Sequence, residues 1–192
     1  MKAIVLTIPT LILAATCTPP AADTPATDSS TANSPAPVQS AEPAGRQSRY
    51  TSLTDCTTTL SKPDEAGYRA SDCPGVDGFA VQKIEADGRE NLAIQPPKDR
   101  SHSLRLPEYG SGGFSALGEQ IEWRGEPGAS PDALIVRYKV VEKAETPERW
   151  TSYLIVASLQ ATPCVVAKIP PGPHQNDEAR RAADDTMRCI AP

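Results

Sequence analysis

From Phe79 onward the chain alternates apolar and polar positions in a way that predicts a sheet. The segments FAVQKIE (Phe79 to Glu85) and NLAIQ (Asn91 to Gln95) flank Asp87-Gly88, a dipeptide suited to a two-residue hairpin because both central positions of a type I′ turn need positive φ. In SLRL (Ser103 to Leu106) the alternation puts Leu104 and Leu106 on one face, and in QIEWR (Gln120 to Arg124) it does the same for Ile121 and Trp123. Further strands are expected at LIVRYKVV (Leu134 to Val141), WTSYLIVASL (Trp150 to Leu159) and CVVAKI (Cys164 to Ile169). The nearly continuous apolar second half of Trp150 to Leu159 predicts a central strand covered on both faces. Trp123 and Trp150 are both assigned to the core.

An antiparallel pairing of QIEWR with LIVRYKVV across GEPGASPD suggests a register. Setting Trp123 opposite Val136 also sets Ile121 opposite Tyr138 and Glu122 opposite Arg137, which gives one apolar face and an opposite-charge pair on the other. One helix is expected after PPGP (Pro170 to Pro173). Asn176 is placed as its cap, with Asp177 and Glu178 at its positive end and Arg188 in its last turn. Ala179, Ala182, Ala183, Thr186 and Cys189 trace a small-residue stripe at helical spacing. The expected class is α+β, a predominantly antiparallel sheet with one C-terminal helix packed on it.

The first residues follow another pattern. Lys2 precedes an apolar stretch from Ala3 to Ala15 that has the length of a secretory h-region and ends in small residues. A membrane-spanning helix needs about 20 residues, and Pro9 weakens helix formation midway. LAATC, ending at Cys17, resembles a bacterial lipobox, whose cysteine is acylated before cleavage immediately upstream of it. That pattern favours Leu three residues before the cysteine and Gly, Ala or Ser directly before it, where this chain has Ala14 and Thr16. The alternative is ordinary signal-peptidase cleavage near Ala15, leaving a free thiol at Cys17. The resemblance implies residues 1–16 as signal peptide, Cys17 as the lipid attachment site and the membrane as a partner through the anchor. Thr18 differs from the Asp that marks inner-membrane retention in such lipoproteins, so the outer membrane is the expected location.

Behind Cys17, residues 17–45 are rich in Ala, Pro, Thr and Ser, with Val38 as the only large aliphatic. Such a segment cannot bury enough surface to offset ordering entropy. It reads as a disordered tether able to reach about 90 Å at ~3.1 Å per residue. The globular domain is assigned to residues 46–192. Its acidic balance, 19 Lys and Arg against 24 Asp and Glu for a net charge of −5, and the lack of a basic stripe argue against nucleic acid as a partner.

Five cysteines are an odd number, which strands one thiol in an oxidising compartment. Assigning Cys17 to lipid leaves Cys56, Cys73, Cys164 and Cys189. They show no C-x-x-C spacing, which disfavours zinc. Of the three connectivities open to them, Cys56 to Cys73 and Cys164 to Cys189 is favoured because each closes a short local loop.

The run from Tyr50 to Cys189 resembles an uncharacterised family of small exported proteobacterial proteins. The likeness lies in Tyr50 with Leu53, Cys73-Pro74-Gly75, Asp87 with Arg89, Trp123-Arg124, and Cys164 with Cys189 on either side of a terminal helix. Arg69 lies further from Cys73 than in that pattern. The resemblance implies export and two local disulfides, and no activity.

Candidate chemistry is sparse. His102 lies near Asp99 and two serines in KDRSHSLRL, but no G-x-S-x-G elbow supports a nucleophile, and it reads as a solvated loop or strand-edge histidine. His174 reads as solvated. YGSGGF (Tyr109 to Phe114) leads into a strand instead of a helix N-terminus and so reads as a connector, not a phosphate loop. Glu122, Asp87 and Glu119 are candidate acids only as strand-borne carboxylates. No catalytic, cofactor-binding or metal-ligating residue is assigned. The expected function is a lipid-anchored envelope domain that binds an envelope protein or a cell-wall ligand without catalysis; a small periplasmic hydrolase built on strand carboxylates is the alternative.

Overall fold

The computed structural model describes residues 45–185 and 188–192. Its architecture is α+β, as expected. Ten strands form one mainly antiparallel sheet: β1 Gln47–Ser52, β2 Thr57–Lys62, β3 Tyr68–Cys73, β4 Ala80–Ala86, β5 Arg89–Gln95, β6 His102–Ser103, β7 Ser115–Gly125, β8 Ala133–Val141, β9 Trp150–Ser158 and β10 Cys164–Ile169. One helix, α1, follows at Gln175–Asp184. The strand order is β10-β9-β8-β7-β5-β4-β3-β2, with β1 on β7 and β6 on β5.

Strand β7 joins two halves of this sheet. It pairs with β8 on both sides of an interruption and with β1 over Gln120–Gly125, but meets β5 in a single parallel pair, Arg89 with Ser115. Leu92, Ile94, Leu104 and Leu106 from one half share a core with Ile121, Trp123, Leu134, Tyr138 and Ile155 from the other. The sheet therefore curls so that its halves face each other across one apolar layer. Full burial of each such side chain contributes about 1.5–3 kcal/mol. The polar ends of the two largest are satisfied: Trp123 Nε1 donates to Thr51 Oγ1 at 2.9 Å and the Tyr138 hydroxyl to Ser115 Oγ at 2.7 Å. Burial pushes the Tyr138 phenol up to about 12.

The apolar run of β8 is explained by the two layers it separates. Leu134, Val136, Tyr138 and Val140 face the shared core, while Ala133 and Ile135 face α1 together with Leu154 and Val156 of β9. Ala179 and Ala183 of α1 are completely buried on that second face. The hairpin at Asp87-Gly88 is as expected, with φ of 51° and 66° joining β4 to β5.

Several expectations need correction. The β7–β8 pairing exists, but its register sets Trp123 opposite Leu134, Ile121 opposite Val136 and Glu122 opposite Ile135. The difference is two residues, which leaves every side chain on the same face and so satisfies the same alternation. Trp150 is 46 % exposed, because it is the first residue of β9 and opposes only the last residue of β8. The SLRL segment is a strand only through Ser103; Arg105 then adopts φ 55° and leads into a 3-10 turn at Leu106–Tyr109, with Leu104 and Leu106 still buried.

In α1 the cap position is His174, without a side-chain capping bond, and Asn176 lies inside the first turn. Tertiary anchoring sets this start: the buried Gln175 side chain donates from Nε2 to the carbonyls of Ser152 at 2.8 Å and Ile169 at 3.2 Å. Arg188 and Cys189 lie beyond the helix, and Thr186 lies outside the described residues. Strands β1, β2 and β3 were not expected; β2 (TTTLSK) is exposed at all six positions and has no apolar period to read.

Both local disulfides are formed, Cys56–Cys73 at a Cα separation of 4.1 Å and Cys164–Cys189 at 5.7 Å. The first closes the edge hairpin of β2 and β3. The second holds the chain after α1 onto β10, where the Ile190 amide also donates to the Val165 carbonyl at 2.9 Å. Their presence indicates an oxidising compartment. Among the described residues no helix is long and apolar enough to cross a membrane. Each disulfide constrains the unfolded chain by about 3 kcal/mol on the loop-entropy model. Replacing Cys164 and Cys189 together by Ser is expected to lower unfolding stability by about that amount in urea titrations; an unchanged midpoint would contradict the staple role.

Candidate functional site

The helix-facing side of β8 is apolar only along part of its length. Beyond Ala133 and Ile135 the same face continues into Arg137 and Lys139. Here the β7–β8 ladder is interrupted. Leu117 pairs with Tyr138 and Ile121 with Val136, so Gly118, Glu119 and Gln120 all oppose Arg137. Bulges of this kind bend a strand and re-aim side chains. Gly118 permits this one, since a Cβ there would stand 2.7 Å from the Arg137 Cβ.

A cavity of about 480 Å³ opens between this bulge and α1, within the size range of small-molecule sites. Ile135, Leu154 and Ala179 form its apolar part. Its polar part comes from Tyr50 on β1, Glu119, Gln120 and Glu122 on β7, Arg137 and Lys139 on β8, and Asn176 and Arg180 on α1.

One wall of the cavity belongs to a chain of alternating charges. Arg46 bonds Asp132 and, through Nε, Asp184 Oδ1 at 2.8 Å. Arg124, 7 % exposed, reaches Asp184 Oδ2 at 2.5 Å and lies 3.9 Å from Glu122 Oε1. Arg180 closes the series with Nε 2.8 Å from Glu122 Oε1 and Nη2 3.2 Å from Oε2, a bidentate arrangement. Ser48 Oγ donates to Glu122 Oε1 at 2.6 Å and Arg180 Nη2 to the Tyr50 hydroxyl at 3.2 Å. Burial by itself raises the Glu122 carboxyl, but the hydrogen bonds from Arg180 and Ser48 and the charges of Arg180 and Arg124 outweigh it and hold it below its ordinary value. Arg180 is correspondingly raised, chiefly by its hydrogen bond to Glu122.

Arg137 stands apart from this neutralised series. Of the described arginines that are not solvent-exposed, Arg46, Arg89, Arg124 and Arg180 each have a carboxylate within 4.0 Å, and Arg137 has none. Its Nη1 donates to two neutral acceptors, Ser152 Oγ at 2.8 Å and Gln175 Oε1 at 3.2 Å. No described protein group accepts from its Nε or Nη2.

The residues singled out in the sequence are scattered. Of the candidate acids, Glu119 and Glu122 both line the cavity, while Asp87 is at the β4–β5 turn, 2.7 Å from Arg89. His102 lies on the edge strand β6, as expected, but is not solvated: its side chain is only 10 % exposed and Nε2 lies 3.0 Å from Asp99 Oδ2. That pair is not part of the cavity lining. His174 is exposed at the start of α1. In the YGSGGF loop, Arg89 donates from Nε and Nη2 to the Gly112 carbonyl at 3.2 and 2.8 Å, which ties this connector to β5. Cys17 lies outside the described residues. Among the described residues no group of three or more His, Cys, Asp and Glu side chains is placed to hold a metal ion.

The roles of Arg137, Arg180 and Tyr50 in a site were not read from the sequence. For Arg137 a signal existed, since it interrupts the apolar run LIVRYKVV in a strand covered on both sides. No protein-family model, curated protein sequence or solved structure matches this chain.

Two consequences can be measured. Glu122 is depressed in the folded state, so its contribution is present above its unfolded value near 4.5 and lost as pH falls through its lower folded value. Glu122→Gln is therefore expected to cost about 1–2 kcal/mol at pH 7, allowing for the partial exposure of Arg180. The gap to wild type should shrink in acid-unfolding curves below pH 4.5, and a pH-independent gap would contradict the charge assignment. Gly118→Ala should cost about 1–3 kcal/mol through overpacking against the Arg137 Cβ, read as a lower thermal midpoint; a neutral result would remove the close-approach account of the bulge.

Proposed function

We propose that this chain is a lipid-anchored cell-envelope protein whose folded domain binds a ligand without transforming it, the cavity beside α1 being the binding element. Residues 1–16 direct export, Cys17 carries the lipid, and residues 17–45 are the tether that lets the domain stand clear of the outer membrane. Multiple acyl chains at ~0.8 kcal/mol per buried methylene make release from the bilayer slow. The two disulfides support an exported location. They also account for every cysteine in the described residues, leaving Cys17 as the odd one for a separate use.

The observation that carries the binding reading is the state of Glu122. Glycosidic and related hydrolyses need an acid kept protonated beside a second carboxylate. Glu122 is shifted the other way, with its oxygens occupied by Arg180 and Ser48. A carboxylate so neutralised is a wall, not a proton donor. The partner on this reading is an envelope protein or a cell-wall ligand that offers a small polar group to the cavity.

Intact mass of membrane-extracted protein, with and without reductant, tests the anchor. The expected mature chain begins at Cys17, carries acyl groups there and gains four hydrogens on reduction as its two disulfides open. Cys17→Ala should move the protein to the soluble fraction. A mature chain that begins upstream of Cys17, or one without fatty acid on it, refutes the proposal.

A further inference from the structure

We propose that the cavity between α1 and the β7 bulge is an oxyanion site, in which Arg137 binds a carboxylate or phosphate group of a small organic molecule and Lys139 supplies a second positive charge. This rests on the reading of the domain as a binding module, and it names what the module takes.

The electrostatic imbalance points there. Removing a guanidinium from water is costly unless an anion or enough acceptors replace the lost hydration. The other arginines of this domain that are not exposed meet that requirement with carboxylates. Arg137 meets it with two neutral oxygens on a single nitrogen. Lys139, next on the same face, also has no carboxylate within 4.0 Å among the described residues and lines the same cavity. Glu122 does not offset them, because Arg180 and Arg124 already neutralise it.

The geometry is preorganised for a forked contact. Ser152 and Gln175 fix Nη1 of Arg137, and Gln175 is itself fixed by the Ser152 and Ile169 carbonyls. What remains is the Nε–Nη2 edge, a pair of parallel donors that matches two oxygens of a carboxylate or phosphate. Rigid donors lose little entropy on binding. The Tyr50 hydroxyl and the Asn176 amide add neutral hydrogen-bonding groups, and Ile135, Leu154 and Ala179 offer apolar contact to the ligand's carbon skeleton. Glu119 also lines the cavity. Its carboxylate repels a second negative charge, so a ligand with one compact anionic group fits better than a polyanion.

The test is titration of the mature chain, disulfides formed, with acetate, glucuronate, inorganic phosphate and glycerol phosphate at low salt, followed by the NMR signal of the Arg137 Nε–H and neighbouring amides. The expected result is a saturable shift with Kd at or below about 1 mM for at least one probe, weakened roughly tenfold or more by Arg137→Met and less by Lys139→Met. Arg137→Lys, which keeps charge but loses the fork, should recover only part of the affinity. Saturation by acetate or glucuronate alone assigns a carboxylate ligand, and saturation by the phosphates alone a phosphorylated one. Lys139 is exposed, so its variant reports on binding even if Arg137→Met unfolds. The proposal is overturned if no probe shifts the Arg137 signal up to about 50 mM, or if shifts persist unchanged in both Met variants. A chain without lipid can still bind these anions and an anchored chain can fail to, so failure here and failure of the anchor are separate results.

Discussion

Burial of β8 and β9 on both faces is the constraint from which the rest of this structure follows. A strand with one wet face can alternate apolar and polar side chains; a strand between two dry layers cannot, and must draw a near-continuous apolar run. Leu134 to Val136 and Leu154 to Ala157 are that run, with the curled half of the sheet on one side and α1 on the other. Once these two strands are committed to the interior, α1 has to lie across them. The chain that follows α1 must then return to β10, where Cys164–Cys189 meets it.

The helix is poorly equipped to hold this position by apolar contact alone. Its buried residues are Gln175, Ala179 and Ala183, and alanines bury little area. Fixation falls to polar and covalent contacts instead: Gln175 on two sheet carbonyls at one end, Arg180 and Asp184 on Glu122, Arg124 and Arg46 along the side, and the disulfide beyond. Charge pairs of this kind are directional where apolar packing is not. They set the helix at one rotation and one distance, and the cavity is the space left where the helix and the β7 bulge diverge.

The parts of this architecture that could be read in advance were those whose side chains alternate or cluster. The β4–β5 hairpin follows from Asp87-Gly88, and β8, β9 and β10 from their apolar runs; Cys56–Cys73 and Cys164–Cys189 follow from loop length. β2 could not be read, because TTTLSK is held by ladder bonds and a neighbouring disulfide with no buried side chain to mark it. The β7–β8 register was misjudged by two residues because alternation has period two and cannot distinguish a slide of that size. That slide matters for the site. It takes Glu122 away from Arg137 and gives it to Arg180, a residue 58 positions later on a helix whose placement no local pattern encodes.

Arg137 is where this domain departs from its own rules. The other arginines of the described interior meet carboxylates. At this position a partly buried guanidinium is left with neutral acceptors, opposite a bulge that an ordinary ladder would not contain, in the wall of the cavity beside α1. Each feature alone costs stability: the charge by desolvation, the bulge by lost ladder bonds, the glycine by its unfolded-state freedom. Local choices in a folded chain ordinarily agree with one another, and coincident departures mark places where something other than folding sets the sequence. A ligand that brings its own negative charge resolves all of them at once. It supplies the counter-ion that Arg137 lacks, fills the space the bulge opens, and leaves the Glu122–Arg180 pair undisturbed.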